Sequence, residues 1–132
     1  LISAGKVAAF TVAGGQGTRL NFDGPKGNLP VTPIRNKTLF RVFAESIAAV
    51  QRRYKCVIPW YIMTSPANHE ETVCSFGENR HFGLDSSQIM FFPQGMMPSF
   101  DRSGKILLAE RCRIALSPPF GTGFSSLLLR SA

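Results

Sequence analysis

The stretch Lys6 to Val12, small and apolar with two valines and a phenylalanine, runs directly into Ala13-Gly14-Gly15-Gln16-Gly17-Thr18-Arg19-Leu20. A short apolar run of this kind reads as a strand buried on both faces. Glycines at its carboxyl end allow a tight turn and let the backbone come close to a ligand. Residues Asn21 to Thr32 carry Gly24, Pro25, Gly27 and Pro30 and therefore read as loop. A buried strand that ends in a glycine-rich loop opens an α/β unit, and this restricts what the remaining residues can build.

The rest of the chain follows that lead. Thr38 is suited to cap a helix, and Leu39, Val42, Phe43, Ile47 and Val50 recur near helical spacing, as expected for a stripe packed against a sheet. Arg52 and Arg53 fall in its last turn, where they complement the helix dipole. Val57 to Met63 reads as the second strand, with Pro59 at its beginning because proline cannot donate to a ladder. Ser65-Pro66 breaks it, and Asn68 is expected to cap a short polar helix with Glu70 and Glu71 at its start. Phe82-Gly83-Leu84 reads as a turn, Gln88 to Phe92 as a third strand ending at Pro93-Gln94-Gly95, and Lys105 to Ala109 as a fourth, short strand. Trp60, Tyr61 and the phenylalanines read as core. His69 and His81 have no cysteine or carboxylate at ligand spacing and are expected to be structural.

Strands alternating with helices at this pitch predict an α/β fold with a mostly parallel sheet covered on both faces. Ligands on such sheets bind beyond the carboxyl ends of the strands. The Gly14-Gly15 loop and Gln94 both follow strand ends, so one crevice can be lined by both despite their separation in sequence.

The length of 132 residues allows one domain. A hydrophobic fraction of 44% and a charged fraction of 17% are those of a globular chain rather than a disordered one. The formal charge of +7 favours anionic partners. Charge alone leaves nucleic acid and phosphorylated small molecules equally open. The basic residues form no run, and no aromatic residues interleave with them as a base-stacking platform would need. No stretch approaches the ~18 unbroken apolar residues of a membrane span, and the start lacks the region order of a signal peptide. Cys56, Cys74 and Cys112 are odd in number and widely spaced, which fits free thiols in a reducing, cytoplasmic setting. The first residue is Leu1, which points to an unusual start or to a sequence that begins inside a longer chain.

Two common phosphate loops fail. A dinucleotide fingerprint starting at Gly15 has Gly17 but meets Leu20 where a third glycine is needed, and the nearby Lys26 lies between Pro25 and Gly27 rather than in a Gly-Lys-Ser/Thr sequence. What remains is Gly14-Gly15-x-Gly17-Thr18-Arg19 followed by Pro25-Lys26-Gly27. Glycines let successive N–H groups point at phosphate oxygens. Arg19 offers a planar fork and Lys26 a mobile point charge. Nucleotidyl transfer at an α-phosphorus needs such a set, because charge builds on the equatorial and leaving oxygens.

The segment Val12 to Leu20 followed by Gly24-Pro25-Lys26-Gly27 resembles the signature of the eukaryotic-type UDP-N-acetylglucosamine and UDP-sugar pyrophosphorylases. Thr38-Leu39-Phe40, Ile58 to Ser65, His81-Phe82-Gly83-Leu84, Phe91 to Met96, Pro98 and Gly104-Lys105-Ile106 resemble further segments of that family, in the family order. The likeness covers most of residues 6 to 118. It implies the N-terminal portion of a Rossmann-like sheet of the nucleotide-diphosphosugar transferase type. It also implies uridylyl transfer from UTP to a sugar 1-phosphate with Mg²⁺, giving a UDP-sugar, foremost UDP-N-acetylglucosamine, and pyrophosphate. By the same resemblance Ala13, Gly14, Gly15, Gly17 and Thr18 hold the nucleotide, Arg19 and Lys26 neutralise its phosphates, and Gln94 reads the uracil edge. The sugar phosphate oxygen is then the nucleophile, with no covalent enzyme intermediate.

The sequence departs from the family after Leu116-Ser117-Pro118. Where the family carries Pro-Asp-Gly, then Asn or His, then Gly-Gly, this chain reads Pro119-Phe120-Gly121-Thr122-Gly123-Phe124 and runs to Ala132. Residues 119 to 132 are accordingly expected to be a divergent or frameshifted tail, and the chain an incomplete, inactive part of a catalytic domain. Metal ligands and sugar-side residues are expected beyond it. Pro93 replaces a common glutamine and Asn21 a common glycine. Three functions compete at this point: uridylyl transfer, with glucose 1-phosphate or a broader range of sugars as the alternative acceptor; a nucleotide-binding remnant without turnover; and a basic nucleic-acid-binding module, which the motifs support little.

Overall fold

The structure is a computed structural model; it describes residues 1–17, 20–110, 113–114, 116–117 and 125–130. Along the chain run β1 (Val7–Val12), α1 (Leu39–Tyr54), β2 (Trp60–Thr64), α2 (His69–Glu78), β3 (Ile89–Pro93), β4 (Met97–Pro98), β5 (Leu108–Glu110), β6 (Arg113–Ile114), β7 (Leu116–Ser117) and β8 (Ser125–Arg130). The main sheet has the order β3-β2-β1-β8. β1, β2 and β3 are parallel, with Ala9 opposite Trp60 and Trp60 opposite Ile89. This is the α/β arrangement that the alternation of strand and helix predicts. β8 pairs antiparallel with β1 from Val7↔Arg130 to Val12↔Ser125, an element that the sequence reading does not assign.

The element boundaries have local causes. Thr38 Oγ1 accepts from Arg41 N at 3.3 Å and starts α1 as expected. Arg52 and Arg53 lie in its last turn, and Lys55 ends it in the left-handed conformation at φ 51°. Pro59 stands just before β2, and its carbonyl accepts from Ala9 N at 2.8 Å, so a residue with no N–H still joins the ladder through its oxygen.

Four expectations need correction. Of the expected α1 stripe, Ile47 is buried in the core and Phe43 and Val50 pack against it, but the two fully buried side chains of the helix, Phe40 and Ala44, lie outside that stripe, and Leu39 and Val42 are only half-buried. Helix α1 is turned toward Gly27 and Phe76, which places Phe40 at the centre of its buried seam. Asn68 precedes α2 without a side-chain cap, because its amide bonds elsewhere, as described below. The strand expected over Lys105 to Ala109 is Leu108–Glu110, and it pairs with β6 in a separate two-stranded sheet instead of joining the main one. Tyr61 is half-buried and Phe100 is exposed, so they are not central to the core.

The core centres on Phe76. Its ring makes edge contacts with Phe40, Trp60, Phe82 and Phe91 at centroid distances of 4.9, 5.4, 5.0 and 4.9 Å, the favoured arrangement for aromatic quadrupoles. Trp60 is fully buried, and its indole Nε1 donates to Thr11 Oγ1 at 2.9 Å, which satisfies the one polar atom of that side chain. Phe82 reaches the cluster from a left-handed turn, with φ of 49°, 53° and 52° at Arg80, His81 and Phe82. Each such residue costs about 1–2 kcal/mol, offset in part by burial of the Phe82 ring. The expected turn is present, but it begins two residues before Phe82.

Candidate functional site

β1 ends with both backbone groups of Ala13 held. Its N–H donates to Met63 O at 2.7 Å, and its carbonyl accepts from Asn68 Nδ2 at 2.9 Å. The chain then leaves the sheet at Gly14 and returns along itself. Gly15 O accepts from Lys26 N at 3.1 Å, Gln16 bridges Pro25, and Gly17 N donates to Gly24 O at 2.9 Å. Lys26 therefore stands beside Gly15 at the base of the loop.

Glycines in this loop differ in what they serve. A β-carbon on Gly17 would stand 2.8 Å from the Phe22 carbonyl oxygen, so closure of the loop itself requires glycine there. A β-carbon on Gly27 would stand 2.1 Å from two Phe40 ring atoms. Gly24 has φ 123° and faces the Glu71 carboxylate, 2.7 Å from its missing β-carbon. At Gly14 the neighbour is the Gln94 side chain, whose Nε2 lies 3.0 Å from where a β-carbon would be.

Gln94 is positioned by β2. Its N–H donates to Thr64 O at 2.7 Å immediately after β3 ends, and the residue is 8% exposed. Two residues 80 positions apart in the sequence thus meet at the carboxyl ends of parallel strands. The structure brings together Ala13, Gly14, Gly15, Gly17, Lys26 and Gln94. Thr18 and Arg19 lie outside the described residues.

The sequence reading passes over the residues that connect the two halves of this site. Asn68 Oδ1 accepts from Ser65 N and Ser65 Oγ, both at 2.9 Å, while its Nδ2 holds Ala13. Thr64 Oγ1 donates to Phe92 O at 3.2 Å and shares a 2.7 Å hydrogen bond with His69 Nδ1, which gives His69 the structural place expected of it. The only signal in the sequence is a polar cluster after a strand, which resembles an ordinary turn.

Among the described residues no group of three or more His, Cys, Asp and Glu side chains is placed to hold a metal ion. Hydrogen bonds from Ser103 and the Lys105 N–H hold the Asp101 carboxyl below its usual range, and hydrogen bonds from Lys37 and Arg41 do the same for Glu45. Among the described residues no helix is long and apolar enough to cross a membrane. Cys56 and Cys74 are free thiols; Cys112 is outside the described residues.

The sequence profile of the UTP–glucose-1-phosphate uridylyltransferase family matches residues 3–128. The chain belongs to this family. It is 41% identical over 121 residues to a UDP-N-acetylglucosamine pyrophosphorylase of Saccharomyces cerevisiae, covering 89% of this chain and 25% of the yeast protein. It is 35% identical over 141 residues to UDP-N-acetylglucosamine diphosphorylase 2 of Arabidopsis thaliana, covering 98% of this chain and 28% of that protein. The crystal structure of the uridine diphosphate N-acetylglucosamine pyrophosphorylase from Trypanosoma brucei in complex with an inhibitor superimposes with a TM-score of 0.82 at 35% identity, over 89% of this chain and 24% of that one. The chain thus spans only 24–28% of the length of these relatives, and the Rossmann-like fold implied by its resemblance to the family is the fold it shares with the Trypanosoma brucei structure.

Proposed function

We propose that this chain carries the uridine-nucleotide side of a uridylyltransferase that forms UDP-N-acetylglucosamine and pyrophosphate from UTP and N-acetylglucosamine 1-phosphate. The observation that carries the reading is the meeting of Gly14 and Gln94 at the strand ends, with Lys26 bonded through its N–H to the neighbouring Gly15, within a chain whose relatives named above are UDP-N-acetylglucosamine pyrophosphorylases or diphosphorylases. Glycine at 14 leaves room for the Gln94 amide to lie against the backbone where β1 ends. A glutamine amide presents an NH₂ donor beside a C=O acceptor, the pair needed to bond the N–H and C=O edge of uracil.

In this reading the backbone of Ala13, Gly14 and Gly15 seats the nucleotide, with Gly17 and Thr18 completing the loop. Lys26 and Arg19 offset the charge of the phosphates. An oxygen of the sugar phosphate attacks the α-phosphorus, the bond from that phosphorus to the β-phosphate oxygen breaks, and pyrophosphate leaves. Such a transfer depends on positioning and charge stabilisation more than on covalent chemistry by the protein. Mg²⁺ belongs to this proposal through the triphosphate, since that ion is commonly held by substrate phosphates with one or two carboxylates.

The test is equilibrium titration of the chain with UTP, uridine and ATP, repeated for Lys26→Ala. UTP should bind in preference to ATP, and Lys26→Ala should weaken UTP by about tenfold, the equivalent of one charge-assisted contact, while uridine is unaffected. Equal binding of UTP and ATP by the unaltered chain would overturn the assignment.

A further inference from the structure

The Asn68 side chain is almost fully buried and spans two elements that are not neighbours in sequence. One end of its amide accepts from Ser65 N and Oγ, both at 2.9 Å, and the other donates to Ala13 O at 2.9 Å. Its backbone is fixed as well: Asn68 N donates to Ser65 O at 3.1 Å, and Asn68 O accepts from Thr72 N at 3.0 Å. An amide held at both ends acts as a rigid strut between the β2–α2 connection and the end of β1.

The consequence reaches the next residue. Because the peptide unit is planar, a fixed Ala13 carbonyl also fixes the Ala13–Gly14 peptide plane and the direction of the Gly14 N–H. The Ala13 N–H is already held by Met63 O, so Ala13 is the last residue before the loop with both backbone groups engaged. The last residue of β2, which leads into that connection, sets Gln94, whose N–H donates to Thr64 O at 2.7 Å. Residues Thr64 to Asn68 therefore hold both sides of the contact between Gly14 and Gln94.

We propose that Asn68 is a positioning residue that sets the Gly14 backbone against Gln94 and so contributes to uridine selectivity without touching the nucleotide. The proposal rests on the nucleotide assignment for its selectivity, while the positioning itself is independent of any ligand.

Two variants separate the roles. Asn68→Ala removes the strut. Asn68→Asp keeps nearly the same shape and the acceptor toward Ser65, but near pH 7 it turns a carboxylate oxygen toward the Ala13 carbonyl in place of the donor. It also covers the case in which the alanine variant does not fold. Ile47→Val, in the core and away from the loop, is the control for general destabilisation. The first readout is amide hydrogen exchange of Gly14 and Gly15 without nucleotide, relative to Phe10 and Ile62 in the strands. Both Asn68 variants should raise exchange at Gly14 and Gly15 by at least tenfold over those strand amides, and Ile47→Val should not. The second readout is the ratio of UTP to ATP affinity, which should fall by at least fivefold in both Asn68 variants and stay constant in Ile47→Val. Unchanged loop exchange in Asn68→Asp would overturn the positioning role. Altered exchange with an unchanged affinity ratio would overturn the contribution to selectivity. Lack of UTP preference in the unaltered chain would count against the nucleotide assignment, and the exchange measurement would still decide whether Asn68 positions the loop.

Discussion

Gln94 Nε2 lies 3.0 Å from the point where a β-carbon on Gly14 would stand, although the two residues belong to loops that follow different strands. Gly14→Ala therefore pushes the amide head of Gln94 aside by a few tenths of an ångström. The head is the far end of a flexible side chain, so the fold should survive, with a melting temperature close to that of the unaltered chain. Preference for UTP over ATP should narrow. Calorimetric titration beside a thermal melt checks both, and a large fall in melting temperature with intact preference would contradict this placement.

Gly27 and Gly77 should respond in opposite directions to the same substitution. A β-carbon at 27 would lie 2.1 Å from the buried Phe40 ring, so Gly27→Ala should destabilise by about 1–3 kcal/mol or more, as overpacking does. At exposed Gly77 in α2 nothing lies within 4 Å, and Gly77→Ala should stabilise by about 0.5–1 kcal/mol through helix propensity. Urea unfolding of the two variants measures the difference.

The chain has a single tryptophan, which makes the Trp60–Thr11 bond directly observable. Thr11→Val keeps the side-chain shape and removes the acceptor, leaving a buried indole N–H without its partner. The expected cost is about 1–3 kcal/mol, with a blue-shifted or altered fluorescence maximum in the folded state. An unchanged unfolding midpoint would show that the indole finds another acceptor.

Glu45 links acid sensitivity to helix α1. Hydrogen bonds from Lys37 and Arg41 hold its carboxyl below the usual glutamate range. A depressed folded-state value contributes stability that is present above the unfolded pKa of about 4.3 and is lost as pH falls through the folded value. Glu45→Gln should therefore flatten the fall in stability below about pH 4.5, as read from melting temperatures between pH 3 and 6. An identical acid profile in the variant would remove this pair from the explanation.

The elements that local chemistry specifies were legible in the sequence. Thr38 announces the start of α1, the valines and Phe10 mark β1, and Pro59 marks the entry to β2. The outcome differed where distant contacts decide. Asn68 resembles a helix cap to any reading of neighbouring residues, yet its amide is drawn to Ala13, 55 positions away. The buried seam of α1 runs through Phe40 because Gly27 leaves a notch for that ring, a relation no periodicity records. Gly17 reads as a ligand-facing glycine, and its immediate constraint is Phe22. Of the candidate site, the residue types were legible from the loop and its resemblance to a family, while the contact between Gly14 and Gln94 depended on the parallel register of β1, β2 and β3.

The nucleotide site is tested most directly by titrating the unaltered chain and Gln94→Ala with UTP, CTP and ATP under identical salt. UTP should bind most tightly to the unaltered chain, and Gln94→Ala should reduce that preference by about 1–3 kcal/mol, the cost of leaving a polar partner unmet. Equal affinity for the three nucleotides, or a preference for UTP that survives Gln94→Ala unchanged, would contradict the assignment of Gln94 as the group that reads uracil.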